Sequence, residues 1–328
     1  MRPETMGGVA PGDCCPPRRR RIGGATLMLL AGLALCQLQS ARAQELNPRA
    51  YLITPTDTNA VSLGYTYLDG NVQFDGAVPI TDATSSVNLA ALGYYHSFDL
   101  AGHSANFALA LPYGYGDFSG TVVDVPKHGT RSGLLDSSLR VAVNLLGGPA
   151  MGPADFARWS QHVLLGVSLK IVAPIGQYDP TLLVNFGNNR WAFKPELGLS
   201  QRWGHWVLDT YLGGWFFTRN SDFLGNHVQE QRPMGAFEAH LSYDIAPRLW
   251  LSLDANYWWG GETSLDGTVN PLTVQQNSRV GVTASIPLTQ RQSIKLSYSD
   301  GAYVSYGGNY RAFGLTWQYG WVGGLPSR

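Results

Sequence analysis

The sequence predicts an all-β protein, a transmembrane antiparallel up-and-down β-barrel of about twelve strands. Three observations predict it. The first is the stretch 311–321, Arg-Ala-Phe-Gly-Leu-Thr-Trp-Gln-Tyr-Gly-Trp. With the two-residue period of a strand, Phe313, Leu315, Trp317, Tyr319 and Trp321 share one face, and Ala312, Gly314, Thr316, Gln318 and Gly320 share the other. Bulky apolar groups opposite small or polar ones suit a strand with lipid outside and a polar lumen inside. The second is that such segments recur along the chain with no helical period between them. The third is that tight turns alternate with long loops, the asymmetry between the two rims of an outer-membrane barrel.

The segments are read at 60–68, 86–97, 103–113, 136–146, 162–173, 191–201, 205–217, 235–245, 248–259, 277–287, 292–299 and 310–321. The first four are placed by that recurrence. In the fifth, Val163, Leu165, Val167, Leu169 and Ile171 oppose Gly166, Ser168 and Lys170. In the eighth, Phe237, Ala239, Leu241 and Tyr243 oppose Glu238, His240 and Ser242; in the tenth, Val280, Val282, Ala284 and Ile286 oppose Arg279, Gly281, Thr283 and Ser285. Connections after the second, sixth, eighth and tenth segments are tight (Leu100-Ala101-Gly102, Trp203-Gly204, Ala246-Pro247, Thr289-Gln290), whereas 69–85, 114–135, 174–190, 218–234 and 260–276 are long. Both termini therefore fall on the periplasmic side. The 147–161 connection is long on that same side; it reads as a Gly/Pro-rich turn in preference to a short interfacial helix at Phe156-Ala157-Arg158-Trp159. Pro195 inside the sixth segment cannot donate to a ladder, which predicts a bulge or a break in pairing.

The N-terminus reads as an export leader. Arg18–Arg21 form a basic region, the run from Leu27 to Leu35 is apolar, and Ala41-Arg42-Ala43 offers a cleavage site before Gln44. The expected organisation is a signal peptide at 1–43 and an outer-membrane barrel at 44–328; the unusually long region before Arg18 points to a translation start at Met6 or later. A lipoprotein site at Cys36 is disfavoured because Leu35 stands where a small residue is needed. All three cysteines (Cys14, Cys15, Cys36) lie in the leader, so disulfides and thiolate metal sites are excluded from the mature chain. Lys+Arg and Asp+Glu are equal at 23 each, which leaves no basic surplus to hold nucleic acid. The partners expected are outer-membrane lipid, a small-molecule solute and, during biogenesis, the barrel-assembly machinery.

Ionisable residues segregate to the inward face. Arg140, Lys170, Lys194, Arg279 and Lys295 supply positive charge there, and Glu196, Asp209, Glu238 and Asp254 negative charge. A lone Lys or Arg on the lipid face at mid-bilayer costs about 2–4 kcal/mol, so the segregation has a physical cause. The charges either line a selective pore or form a salt-bridged network that fills a narrow barrel; their near-cancellation favours the network. Trp250 and Trp258 share the inward side of the ninth segment, and Val207, Tyr211 and Trp215 that of the seventh. They read as an aromatic-lined path or as girdle residues, and the strand-end positions of Trp215, Trp258 and Trp259 favour the girdle.

Chemistry is harder to find. Of seven histidines (His96, His103, His128, His162, His205, His227, His240) only His240 points inward, with Glu238 on the same strand face and no serine placed beside it. That pairing is expected of a hydrogen-bonded network, so no catalytic residue is assigned and the chain reads as a non-enzyme. A barrel hydrolase acting through His240 is the alternative that activity loss on changing this residue would reveal. No cofactor or metal site is expected, since no calcium-loop spacing of acids occurs.

Residues 174–180 (Pro-Ile-Gly-Gln-Tyr-Asp-Pro) and 185–198 (Asn-Phe-Gly-Asn-Asn-Arg-Trp-Ala-Phe-Lys-Pro-Glu-Leu-Gly) closely resemble an outer-membrane family named for the meta-pathway of phenol degradation. Trp215–Thr218 with Asn220, Gln231 before Pro233, and Asn277–Gly281 are similar to further blocks of it. The resemblance implies a transporter-like barrel associated with uptake of aromatic or other apolar compounds, and it brings no catalytic residues. It draws attention to Tyr178, Asp179, Asn189 and Arg190 in the 174–190 loop and to Trp191 directly after it. That loop is expected to constrict the lumen, or to serve as a plug or turn device in which Gly187 and the Asn pair adopt positive φ. The function expected is passive admission of a small, aromatic or apolar solute; the alternative is a structural or adhesive barrel with a closed lumen.

Overall fold

In the computed structural model, which describes residues 46–72, 80–122, 125–182 and 184–323, twelve antiparallel strands close into one barrel. They are β1 (Thr58–Val72), β2 (Ile80–Leu100), β3 (His103–Val122), β5 (Ser138–Leu146), β6 (Val163–Val172), β7 (Ala192–Trp203), β8 (Trp206–Phe217), β11 (Met234–Ala246), β12 (Leu249–Gly260), β15 (Gln275–Pro287), β16 (Gln292–Val304) and β17 (Gly308–Val322). Each corresponds to one segment expected from the sequence. Each pairs with its neighbour in that order, and β1 closes the ring on β17 from Thr58↔Val322 to Val72↔Gly308. Closure removes the free edges that an open sheet would expose to lipid. Residues 1–43, expected to be a leader, and the tail beyond Gly323 lie outside the described residues.

The outward face carries the exposed apolar side chains, among them Leu63, Leu92, Leu111, Leu169, Leu253 and Phe313. The register keeps them there: one residue of slip would turn every charge to lipid. The β2–β3 turn has Ala101 and Gly102 both at positive φ (52° and 84°), which matches the twist of a two-residue hairpin. Thr58 and Trp321 sit at the same rim as these tight turns, the periplasmic rim of such barrels.

Pro195 has the expected effect. On the β8 side the ladder runs Ala192↔Phe217 and Phe193↔Phe216, then resumes at Glu196↔Gly213 in the same register. The pairing breaks at Lys194 and Pro195 without a bulge.

Four connections differ from expectation. Residues 147–161 hold a one-turn helix, α1 (Pro153–Phe156), where a plain turn was preferred; Ala157 N–H donates to the Pro153 carbonyl and Trp159 N–H to that of Asp155. Pro153 at the first helical position starts it with a preset φ. The 114–135 connection is not a loop: β3 runs on to Val122 and folds back through β4 (Val125–Leu134). The 218–234 and 260–276 loops together form a small sheet of β9 (Asn220–Phe223), β10 (His227–Gln231), β13 (Thr263–Leu265) and β14 (Thr268–Asn270). These short polar runs have no apolar period to announce them, and β10 pairs with β13 of the other loop.

Residues 46–57 are not part of the wall. They lie inside the barrel, crossing from Gly281 of β15, where Leu46 packs, to Ser97 of β2, whose carbonyl accepts the Asp57 N–H.

Candidate functional site

The lumen is divided by a belt of paired groups. Lys194 Nζ lies 2.6 Å from Glu196 Oε2 and 2.7 Å from Glu238 Oε1. Arg140 reaches Glu196 at 3.9 Å. His240, fully buried, lies 3.5 Å from Glu238 and 2.8 Å from Asp254, and Asp254 also accepts the hydroxyls of Ser252 and Thr283 at 2.6 Å each. The network thus ties β5, β7, β11, β12 and β15 together. Buried charges persist only when each is paired and hydrogen-bonded, and here they are.

The 46–57 segment completes the belt. Its Arg49 amide donates to Asp209, its Ala50 amide to the Tyr211 hydroxyl, and the Arg49 guanidinium pairs with Asp244 at 2.7 Å above the Trp250 ring. Tyr51 is wholly buried; its hydroxyl meets Ser168 Oγ at 2.9 Å and Glu196 Oε1 at 3.1 Å, with the Arg140 guanidinium over its ring. Gly166 and Gly198 on β6 and β7 make the room, since a Cβ at either would overlap that ring. Polar lumen residues thus find partners on a segment that the strand pattern does not announce.

On the long-loop side of the belt lies a cavity of about 360 Å³. Leu68, Val87, Leu89, Phe186 and Trp215 supply apolar wall, and Asp136, Lys170 and Arg279 the charges. The 174–190 loop roofs it: Asn185, Phe186 and Asn188 face inward. Asp136 holds the roof by accepting the amides of Gly176 and Asn188 at 2.9 Å and the Asn188 side chain at 2.8 Å. On the other side of the belt, an open vestibule of about 1440 Å³ is lined by Arg49, Phe156, Trp159, Arg202, Arg248 and Arg291 among others.

The residues singled out from the sequence fall as follows. Arg140, Lys194, Glu196, Glu238 and Asp254 meet in the belt, and Asp209 anchors Arg49 beside it. Lys170 and Arg279 line the cavity, Lys170 standing on β6 in register between Arg140 of β5 and Lys194 of β7. Lys295 stands on β16 opposite Ser285 and Thr316. In the loop, the Tyr178 hydroxyl donates to the Asp222 carbonyl and accepts from Asn220, and burial raises its pKa. Asp179 caps its own turn through the Thr181 amide and hydroxyl, which lowers its pKa. Asn189 (φ 51°) donates to Asn220, the buried Arg190 donates to Gln231 over the Phe217 ring, and Trp191 stacks on Phe193. Gly187 does not take the positive φ expected of it; a Cβ there would come within 2.7 Å of Gly176 backbone, so close approach demands the glycine.

The tryptophans divide. Trp215 and Trp258 are buried in a luminal cluster with Val172, Met234 and Ala236, against the girdle reading, while Trp259 faces outward and stacks on Tyr257. Strand-end position had pointed to a girdle, but inward parity decides it for the first two. Leu68, Val87 and Leu89 were not anticipated at all; they share the inner face with Thr66 and Ala91, and their inward parity was the available signal.

A lipid-facing apolar wall around a charged interior defines an outer-membrane β-barrel. A model of the family described as "Putative MetA-pathway of phenol degradation" matches residues 69–319, and the chain belongs to that family. An outer membrane channel from Pseudomonas putida F1 shares the fold at a TM-score of 0.72 and 20% identity, over 84% of this chain and 100% of that one. The beta domain of the Bordetella autotransporter BrkA (TM-score 0.47, 12% identity, 81% of this chain and 100% of that) and the transport unit of the autotransporter AIDA-I from Escherichia coli (0.46, 11%, 90% and 97%) are more distant. No curated protein matches the chain.

Proposed function

We propose that this protein is an outer-membrane channel that passively admits small, aromatic or apolar solutes after export by a cleaved leader. The observation that carries the reading is the roofed cavity. Its 360 Å³ suits a single-ring solute, and its apolar wall with a few placed polar groups is the usual composition of a small-molecule site. The relative from Pseudomonas putida, itself an outer membrane channel, supports the same class. Onward passage requires the 46–57 segment to shift, because Tyr51, Arg49 and the belt fill the lumen below. Liposomes carrying the purified mature protein should admit small solutes faster than empty ones, and N-terminal sequencing should find Gln44 first. Flux equal to that of empty liposomes would reject the channel.

The packed belt favours one second reading, a structural or adhesive barrel whose lumen stays closed. It predicts sealed bilayers together with binding that depends on the β9–β14 loops. Catalysis has no support in the geometry at His240, whose ring faces two carboxylates, while the Ser252 and Thr283 hydroxyls donate to Asp254.

A further inference from the structure

We propose that the lumen holds a second, hydrophilic path that passes the belt along β16, β17 and β1, admits small ions, and favours anions through Lys295. The path is separate from the route of the arene and does not depend on what the cavity holds. Its basis is a difference between the two sides of one barrel. From β6 to β15 the inward residues are packed: Ser168, Asp209, His240, Asp254 and Thr283 are all buried. On the other side, Lys295, Ser297, Gly314, Thr316, Ser62 and Gly64 point inward, opposite the lipid-facing Leu296, Leu315 and Leu63, and none of the six is buried. The contrast is sharpest within one register pair. Thr283 is 2% exposed where it donates to Asp254, and Ser297, facing it on β16, is exposed.

The strip joins the two spaces on either side of the belt. On β16, Ser299 lines the cavity and Ser293 the vestibule, with Ser297 and Lys295 as the inward residues between them. On β17, Ala312 and Gln318 mark the same two ends, with Gly314 and Thr316 between. Each stretch covers six residues, about 20 Å of strand. The 46–57 segment keeps to the packed side here, since Arg49, Ala50 and Tyr51 are bound to β5, β6, β7, β8 and β11. An arene still needs that segment to shift; a small ion passes beside it. Lys295 gives the strip its sign. Among the described residues it makes no ion pair or hydrogen bond. Asp254, the charge that acts on it, is already taken up by His240, Ser252 and Thr283. Its register neighbours are Ser285 and Thr316. An ammonium among hydroxyls offers an anion partial replacement of the water it sheds.

All three cysteines lie within residues 1–43, so single cysteines in the mature chain report on the lumen without background. Ser62→Cys, Ser297→Cys and Ser242→Cys are placed in lipid nanodiscs and treated with membrane-impermeant methanethiosulfonate reagents, one anionic and one cationic. Labelling is followed by intact mass, and folding by heat-shifted gel migration. Ser62→Cys and Ser297→Cys should label, and Ser242→Cys, inward on β11 but 0% exposed, should stay unlabelled on the same timescale. At Ser297→Cys the anionic reagent should react faster than the cationic one. Adding Lys295→Met should slow the anionic reagent about threefold, the effect of one charge about 7 Å away in water; Lys295→Gln serves where Lys295→Met does not fold. Labelling of Ser242→Cys at the rate of Ser297→Cys overturns the division of the lumen. No labelling at Ser62→Cys and Ser297→Cys overturns the path, and leaves the channel reading to its own flux measurement. An anionic rate unmoved by the loss of Lys295 removes the charge assignment.

Discussion

The belt and the roofed cavity are built from the same strands, and they treat a polar interior in opposite ways. In the belt, every charge from Arg140 to Asp254 is met by another side chain or by the 46–57 segment, so protein fills the space. In the cavity, Asp136, Lys170 and Arg279 share the lining with apolar side chains, and open space remains. The belt follows from desolvation: charges this close in a narrow lumen must pair. The cavity exists because the 174–190 loop is held on Asp136 as a roof and does not collapse inward. One region packs the lumen with paired side chains, and the other leaves open space.

The sharpest way to break this comparison is to remove one belt carboxylate. Asp254→Ala strands the His240 ring and two hydroxyls, and should cost about 3–5 kcal/mol in urea unfolding, as other broken buried pairs do. Asp179→Ala in the exposed roof turn should change stability by no more than about 0.5 kcal/mol. Equal effects would erase the distinction between a packed and an open region.

A second experiment addresses the seal. Gly198→Val places a side chain where the Tyr51 ring sits, and overpacking of that kind costs about 1–3 kcal/mol. The 46–57 segment should yield before the wall does, so conductance in planar bilayers should rise above wild type. Unchanged conductance would show that the segment does not close the path. A third sharpens the cavity: Phe186→Ala removes apolar wall without touching the belt. Arene binding should weaken by about fivefold while the unfolding midpoint moves little.

The smallest effect expected is at the loop sheet. Asp266 accepts from the Val228 amide and pairs with His227, which lowers its pKa below the ordinary 3.8. Because the folded value is depressed, this contact stabilises above about pH 4 and is lost as the pH falls through the folded value. Hydrogen exchange at the Val228 amide should quicken in acid and stay unchanged from pH 6 to 8. A constant rate across the acid range would mean the carboxylate does not hold that strand.

How much could be read in advance varied with how local the cause was. All twelve wall strands were legible because alternation is a property of consecutive residues, clearest at 163–171 and 235–243. The inward charges were legible for the same reason. Their partners were not: that His240 meets Asp254, or Lys194 meets Glu238, depends on how β7, β11 and β12 are staggered. Tyr51 was unreadable because nothing in Arg-Ala-Tyr-Leu-Ile-Thr marks a lumen-filling segment; the glycines that admit it are more than a hundred residues away. The misplaced tryptophans show how parity outranks position along a strand.

The sequence by itself determined the class of fold, the number of wall strands, which face meets lipid and which residues point inward, since all of these follow from a two-residue period and from turn spacing. The tertiary structure alone decided which inward charges cancel, that 46–57 lies in the lumen, and that a cavity survives beneath the 174–190 loop. Those outcomes depend on shear, closure and contacts between residues far apart in the chain, which no local pattern carries.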